Sequence, residues 1–314
     1  MNLRGHFWTF APFLRHTLVP ERAPESTEWE TSLEDRAIGT LILRGHLSQS
    51  RASDTLVVIV HGLGGSATSY YALQAAQAVA RAGLDSLRLN LRGADRRGED
   101  FYHAGLTDDL EAALRSKALE SYDRILLLAY SLGGNMALRY LAGDPDPRVR
   151  AAATICSPID LGKSAREIDK PRLDRALYRL HVLGGLKEIY QEVASRRHVP
   201  LALPEAMRID TIERWDEEVI SPRHGFAGAE DYWAKTSACH VLGDIKTPTL
   251  FVATERDPMV PIDTVRPWLA NATTLRRVIT RQGGHVGFPQ KVDLGIGSRG
   301  TVDDQIIQWM LAPT

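Results

Sequence analysis

A serine lies in the turn of a pattern that predicts a strand, a tight turn and a helix. Residues 125–129 are continuously apolar, as in a parallel strand covered on both faces, and residues 135–141 favour a helix. Ser131 lies between them and is followed by Gly133 and Gly134. Such a turn lifts the hydroxyl above the sheet and directs the following backbone N–H groups at any oxyanion formed there. We therefore predict that Ser131 is a nucleophile.

A serine hydroxyl is a weak nucleophile until a base takes its proton, and that base needs a carboxylate to orient it. Asp257 comes directly after the strand-like run 249–253, and His285 follows the run 275–280. Taken singly, each of these residues can be a structural turn or loop residue. Their order, each at the carboxyl end of a strand, favours a triad in which Ser131 attacks, His285 moves the proton and Asp257 orients His285.

A glycine-rich stretch that reads His61-Gly62-Leu63-Gly64-Gly65 follows the strand-like run 56–60. Glycine lets the backbone approach a substrate closely, so this loop suits the other half of an oxyanion site. We assign the backbone N–H groups of Leu63 and Leu132 as the oxyanion donors. A phosphate-binding loop is disfavoured, because no Gly-Lys-Ser/Thr ending follows.

The composition and net charge of the chain limit the kinds of molecule that it can bind. Lys and Arg number 38 against 39 Asp and Glu among 314 residues, so no basic surface for a nucleic acid is indicated. The two cysteines, Cys156 and Cys239, suit a reducing compartment and are too few for a disulfide framework or a four-ligand metal site. We expect a small-molecule substrate, buried structural thiols, and no metal or organic cofactor.

The N-terminal segment carries Phe7, Trp8, Phe10 and Phe13 but lacks the unbroken apolar core and the cleavage site of a secretory signal. No apolar run reaches membrane-spanning length, so we expect a cytoplasmic protein. The four aromatic residues have two interpretations: they pack onto the main domain, or they make a peripheral contact with a membrane. The sequence does not indicate an oligomeric state.

The alternation of strand-like and helical runs from Leu56 onward is typical of βαβ units. It predicts an α/β fold with a mostly parallel twisted sheet and helices on both faces. The predicted strands are 56–60, 85–89, 125–129, 151–155, 249–253 and 275–280, and the predicted helices are 70–81, 106–119, 135–141, 263–269 and 302–311. Residues 27–31 and 37–43, separated by the polar residues 32–36, predict an antiparallel edge hairpin.

Residues 156–248 separate two predicted strands and are far more than a helical crossover needs. Residues 172–183, 186–195 and 205–216 have helical character. We therefore predict a mostly helical cap over residues 162–246, covering the carboxyl edge of the strands where ligands bind in open α/β sheets. The core domain is then 1–161 together with 247–314, with an N-terminal arm over 1–26.

Short motifs distributed over nearly the whole chain resemble those of one family. They are Gly5-His6-Phe7-Trp8-Thr9, His61-Gly62-Leu63-Gly64-Gly65-Ser66, Asn90-Leu91-Arg92-Gly93, His103-Ala104-Gly105 with Asp108 or Asp109, Tyr130-Ser131-Leu132-Gly133-Gly134-Asn135, Asp216-Glu217, Ser221-Pro222-Arg223-His224-Gly225-Phe226, Asp231-Tyr232-Trp233, Asp257-Pro258 and Gly283-Gly284-His285. Together they resemble the α/β-hydrolases, and more narrowly the YheT-like branch (AB hydrolase family 4). One departure is Ala129, which replaces the first glycine of G-x-S-x-G; one added methyl group is expected to strain the turn without abolishing it.

The resemblance implies a carboxylic ester hydrolase of the serine esterase or lipase type, acting through an acyl-serine intermediate. Relatives of this kind include phospholipases, monoacylglycerol lipases and acyltransferases that make ethyl esters. The leucines of the predicted cap slightly favour a substrate with an acyl chain. Two alternatives remain open: acyl transfer to an alcohol through the same acyl-enzyme, and a non-catalytic binding protein of α/β-hydrolase fold.

Three further residues belong to the family pattern, but we leave them out of the catalytic set. Arg92 can hold a substrate carboxylate or form a structural salt bridge to an acidic neighbour such as Asp95, Glu99 or Asp108. His103 and His224 are expected to be hydrogen-bonded structural residues that join loops and cap.

Overall fold

The computed structural model describes residues 3–50 and 53–313. Its strands are β1 (Thr27–Asp35), β2 (Gly39–Ser48), β3 (Thr55–Val60), β4 (Asp85–Leu89), β5 (Arg124–Tyr130), β6 (Val149–Ile155), β7 (Thr249–Thr254) and β8 (Leu275–Thr280). They form one sheet in the order β1-β2-β4-β3-β5-β6-β7-β8. β2 pairs antiparallel with β1 and β4, and all other neighbours are parallel. The predicted mostly parallel α/β fold is confirmed.

Helices cover both faces of this sheet. They are α1 (Leu3–Leu18), α2 (Tyr70–Arg81), α3 (Asp108–Leu114), α4 (Leu132–Ala142), α5 (Leu161–Asp169), α6 (Leu173–Ala194), α7 (Leu203–Ala206), α8 (Ile212–Trp215), α9 (Ser221–His224), α10 (Ala229–Thr236), α11 (Ile262–Asn271) and α12 (Val302–Leu311). The apolar residues of α2 and α12 pack on one face, and those of α3, α4 and α11 pack on the other. β5 supplies Leu126 and Leu128 to the first face and Ile125 and Leu127 to the second, so its run of apolar residues is buried throughout.

The edge hairpin is longer than predicted. Most of the polar segment 32–36 belongs to β1, and the turn lies at residues 36–38. The Asp35 carboxylate fixes this turn by accepting hydrogen bonds from the N–H groups of Ala37 and Ile38 at 2.9 and 3.1 Å. Most side chains of β1 are in contact with solvent, so its polar residues are compatible with a strand at the edge of the sheet.

The helices between β6 and β7 differ from the predicted ones. The predicted helices 172–183 and 186–195 are one helix, α6, which passes through Gly184 and Gly185 without a break. The predicted helix 205–216 is wrong, because α7 and α8 are separate. The Asp169 carboxylate accepts hydrogen bonds from the N–H groups of Ile212 and Glu213, so a new helix begins there. The division into core and cap stays a prediction.

Two other boundaries and the N-terminal arm also differ. The predicted helix 106–119 is shorter, comprising α3 and a 3₁₀ turn at Lys117–Leu119, and α4 begins at Leu132 rather than at residue 135. The predicted arm contains α1, a helix that the sequence analysis did not predict; residues 1–2 lie outside the described part. Within the described ranges, the structure contains no helix with the length and apolar character needed to cross a membrane.

Candidate active site

Ser131 lies at the sharp turn between β5 and α4. Its φ of 49° and ψ of −123° lie in a strained region for a residue with a side chain, and its N–H donates to the Ile155 carbonyl at 2.8 Å. Gly133 permits the close crossing, since a Cβ there would lie 2.4 Å from the His61 carbonyl oxygen. Ala129, fully buried in β5, leaves this turn intact. The backbone thus presents Ser131 at the start of a helix, where the Leu132 N–H has no acceptor among the described residues.

His285 lies between Ser131 and Asp257. Its Nε2 is 3.0 Å from the Ser131 hydroxyl oxygen, and its Nδ1 is 2.9 Å from Asp257 Oδ2. The second carboxylate oxygen of Asp257 accepts from the N–H groups of Met259 and Val260 at 2.8 and 2.9 Å. A carboxylate only accepts hydrogen bonds, so the Nδ1 proton points toward Asp257 and the Nε2 lone pair faces the hydroxyl. The structure therefore brings together the three residues predicted as a triad.

The loop after β3 is held by side chains that leave one N–H free. The Leu91 N–H donates to His61 Nε2 at 3.2 Å, so the proton on Nδ1 donates to the Gly62 carbonyl at 2.8 Å. Burial lowers the pKa of His61 to about 4, which keeps this ring neutral. Tyr71 and Tyr102 accept from the N–H groups of Gly62 and Gly64 at 2.9 and 2.7 Å. Among the described residues, none accepts a hydrogen bond from the Leu63 N–H.

The loop that carries His285 packs against α1. The His285 N–H donates to the Thr9 hydroxyl oxygen at 2.8 Å, and the Thr9 hydroxyl donates to the Gly5 carbonyl at 2.8 Å. A Cβ at Gly284 would lie 2.2 Å from the Gly5 oxygen, and one at Gly287 would lie 2.1 Å from the Trp8 oxygen. Sequence reasoning did not assign Thr9 to the site. Thr9 belongs to the family motif Gly5-His6-Phe7-Trp8-Thr9, which was recognised in the sequence. The motif alone does not show that Thr9 lies beside His285, because that depends on the fold.

A cavity of about 550 Å³ opens in front of Ser131. Its wall is mostly apolar and includes Val182 and Leu186 of α6 besides Leu63 and Leu132. α6 lies directly on the glycine-rich loop, because a Cβ at Gly185 would meet the Gly64 carbonyl oxygen at 2.4 Å. The helices between β6 and β7 therefore form one wall of the cavity.

Arg92 lies in a buried ion-pair network and does not line the cavity. Its guanidinium pairs with Asp35, Asp100 and Asp109 at 2.9, 3.0 and 2.7 Å. The predicted salt bridge is present, but its partners are not the three acids named from the sequence. Asp95, Glu99 and Asp108 were suggested because they are near Arg92 in sequence. In the fold, Asp35 at the end of β1 lies next to Arg92 instead.

His103 and His224 lie beside this network, with ring centroids 4.4 Å apart and the ring planes tilted by 54°. The Gly105 N–H donates to His103 Nδ1 at 3.1 Å, and His224 Nε2 donates to the Phe101 carbonyl at 3.2 Å. Burial lowers the pKa of His224 to about 4. His224, from the segment between β6 and β7, thus holds the loop after β4, while His103 also lines the cavity.

Cys156 completes a compact group with Asp257 and His285, whose potential ligand atoms all lie within 4.8 Å of one another. Both ring nitrogens of His285 are already hydrogen-bonded, however, and burial raises the pKa of the Cys156 thiol well above its usual value. The thiol stays protonated and contacts the Gly284 carbonyl at 3.7 Å. This group fits an acid–base pair beside a buried thiol better than a metal site.

Comparison with known proteins identifies the class. Residues 55–292 match the family model described as alpha/beta hydrolase fold. The chain belongs to this family. It is YheT-like: it is 29% identical over 239 residues to YheT of Escherichia coli, covering 74% of this chain and 70% of that protein. It is 25% identical to a monoacylglycerol lipase and 27% identical to medium-chain fatty acid ethyl ester synthase/esterase 2, both of Saccharomyces cerevisiae, covering 74% and 75% of this chain.

The chain spans 54% and 58% of the length of these two yeast relatives. Among solved structures, an esterase of Pyrococcus furiosus matches with a TM-score of 0.55 and 17% identity, covering 83% of this chain and 84% of that one. Est1E of Butyrivibrio proteoclasticus matches with a TM-score of 0.55 and 12% identity, covering 90% and 97%. At these identities the structural matches concern the fold.

Proposed function

We propose that this α/β-hydrolase is a carboxylic ester hydrolase that acts through an acyl-serine intermediate on Ser131. The hydrogen-bond chain from Ser131 through His285 to Asp257 carries the proposal, because it gives the serine a base and the base a carboxylate. The free N–H of Leu63 and the start of α4 supply donors at the same point of the cavity.

The reaction takes place in two halves. Ser131 Oγ attacks the ester carbonyl carbon while its proton moves to His285 Nε2, and Asp257 stabilises the imidazolium. The N–H groups of Leu63 and Leu132 bind the oxyanion. The carbonyl-to-alkoxy C–O bond then breaks, and the leaving alcohol takes the proton from His285. Water attacks the acyl-serine and gives a proton to His285, the bond from the acyl carbon to Oγ breaks, Oγ takes this proton from His285, and the carboxylic acid leaves.

The substrate class follows from the cavity wall and from the relatives. Apolar residues of α5, α6 and α8 surround the space in front of Ser131, and an acyl chain gains free energy by burial there. The names of the two yeast relatives refer to monoacylglycerol and to fatty acid ethyl esters. We assign an acyl ester as substrate, and residues 162–246 as the cap that covers it.

We also propose that α1 and α6 dock on a lipid surface. Phe10 and Phe13 pack on Tyr178 and His181 of α6, with ring centroids 4.9 Å apart in both pairs. Apolar side chains of the two helices nevertheless remain exposed around this contact: Leu3, Phe7, Phe13, Leu14, Leu18, Leu173, Leu177 and Leu180. α1 contains no acidic residue, which suits an anionic surface. Phe13 and Leu177 also line the cavity, so the apolar surface continues into it.

Replacement of the nucleophile tests the function. Ser131→Ala should lower the turnover of a p-nitrophenyl ester by about 10⁴-fold or more and abolish labelling by a fluorophosphonate. Ser195→Ala is the matched control, since Ser195 bonds only within the exposed end of α6. Near-normal turnover by the Ser131→Ala protein would exclude the acyl-serine mechanism. A series of acyl esters from acetate to palmitate then gives the chain-length optimum.

A further inference from the structure

One wall of the cavity carries a carboxyl group that ester hydrolysis does not use. Asp216 begins a π-helical turn, Asp216–Ile220, between α8 and α9, a rare geometry that is frequent at functional sites. It lines the same cavity as Ser131 and is only 9% exposed. Of the described residues that line this cavity, it is the single acidic one.

The surroundings of Asp216 leave half of its carboxyl group without a partner. The Trp233 indole N–H donates to Oδ2 at 2.7 Å and fixes the orientation of the group. Within the described chain, no donor reaches Oδ1 and no cation pairs with Asp216. The neighbouring wall is apolar and is formed by Ile168, Ile212, Trp215 and Ile220. Oδ1 is open to the cavity, so a polar atom of a ligand bound there can complete the hydrogen bonds of this carboxyl group.

The state of this carboxyl group selects the chemistry of the ligand. Burial, with smaller contributions from the charges of Asp169 and Glu213, raises the pKa of Asp216 to about 7, although the hydrogen bond from Trp233 acts in the opposite direction. Near neutral pH the group is therefore present in both its protonated and its ionised form. A hydroxyl group can pair with either form, because it accepts from the acid and donates to the carboxylate. An ammonium group pairs well only with the carboxylate.

We propose that Asp216 binds a hydroxyl group of the substrate, and that the preferred substrates are esters with a free hydroxyl remote from the ester carbonyl. This inference rests on the proposed function, because the cavity that contains Asp216 also contains Ser131. Asp216 is then a specificity-determining residue, and Trp233 is the residue that positions it.

Matched esters test this preference by kinetics. Two series are compared with their plain alkyl partners over a range of chain lengths: ω-hydroxyacyl p-nitrophenyl esters and fatty acyl monoesters of α,ω-diols. The ratio of kcat/KM for the hydroxylated over the plain ester should fall about tenfold in Asp216→Leu. It should be retained in Asp216→Asn, whose amide can still accept from Trp233 and pair with a hydroxyl. Asp210→Leu is the control, because the Asp210 side chain is 78% exposed.

Binding of alcohols to the Ser131→Ala protein tests this inference independently of the proposed function, because it requires no turnover. Calorimetry should show that the preference for an α,ω-diol over the 1-alkanol of equal length falls about tenfold when Asp216→Leu is added. If ester turnover survives Ser131→Ala while this preference is present, the hydrolytic mechanism fails and the hydroxyl site stands. The inference is overturned if no hydroxylated ligand is preferred, if Asp216→Leu keeps the preference, or if an amino-alcohol of equal length binds more tightly than the diol.

Discussion

The N–H of His285 donates a hydrogen bond to the Thr9 hydroxyl oxygen at 2.8 Å, joining two residues 276 positions apart. Thr9 is held in turn by the Gly5 carbonyl of the preceding turn of α1. The helix at the start of the described chain therefore fixes the loop that brings His285 to Ser131. Both Thr9 and His285 are buried, so loss of the hydroxyl leaves the His285 N–H without its protein acceptor.

We predict that Thr9→Val displaces His285. Valine has nearly the shape of threonine but leaves the His285 N–H unpaired, at a cost of about 1–3 kcal/mol. The kcat for a soluble ester should fall about tenfold with a smaller change in KM, and the pH profile of kcat should shift. Steady-state kinetics across pH check this. Thr9→Ser should restore both values; if it does not, the hydroxyl group is not the positioning group.

Two adjacent glycines of α6, Gly184 and Gly185, allow a matched test of the contact between this helix and the glycine-rich loop after β3. A Cβ at Gly185 would lie 2.4 Å from the Gly64 oxygen, whereas a Cβ at Gly184 meets open space. Gly185→Ala should push the loop away from Leu63 and lower kcat about tenfold or more. Gly184→Ala should leave kcat unchanged and raise the unfolding free energy by about 0.5–1 kcal/mol. Equal kcat values in the two variants would contradict the proposed role of this loop.

His61 should make the protein less stable in acid. The unfolded chain takes up a proton as pH falls through 6.5, whereas folded His61 remains neutral down to about pH 4. The unfolded state therefore binds more protons between these values, and stability is lost as pH falls through that window. His61 alone should account for about 2 kcal/mol between pH 7 and 5. Urea unfolding of wild type and His61→Asn checks this, and equal pH dependence in both proteins would be the contrary result.

The exposed apolar patch of α1 and α6 should direct binding to lipid vesicles. Wild-type protein should co-sediment with vesicles of phosphatidylcholine and phosphatidylglycerol, and Phe7→Glu or Leu180→Glu should weaken binding about tenfold or more. Ile42→Glu is the control, because Ile42 is an exposed apolar residue on β2 and is not part of this patch. Lipid docking is refuted if wild type stays in the supernatant or if Ile42→Glu weakens binding equally.

The parallel strands could be predicted because each is a run of apolar residues covered on both faces, and this pattern is local. The positions of Ser131, Asp257 and His285 at strand ends could be predicted for the same reason. The ends of the helices were harder to predict from the sequence. α8 begins apart from α7 where the Asp169 carboxylate, more than 40 positions earlier in the chain, accepts from the N–H groups of Ile212 and Glu213. At the end of α3 the Arg148 guanidinium, about 30 positions later in the chain, donates to the Leu114 and Leu119 carbonyls.

The α/β class, the order of the strands along the chain and the residue types available for catalysis could be predicted before the fold was known, because they follow from local periodicity and turn chemistry. The contacts between polar groups, in contrast, became visible only in the folded chain. Thr9 with His285 and Asp35 with Arg92 are pairs from distant parts of the sequence, and Asp216 lines the same cavity as Ser131, 85 positions earlier in the chain. No local pattern encodes them, because the packing of the helices and of the hairpin on the sheet sets these distances.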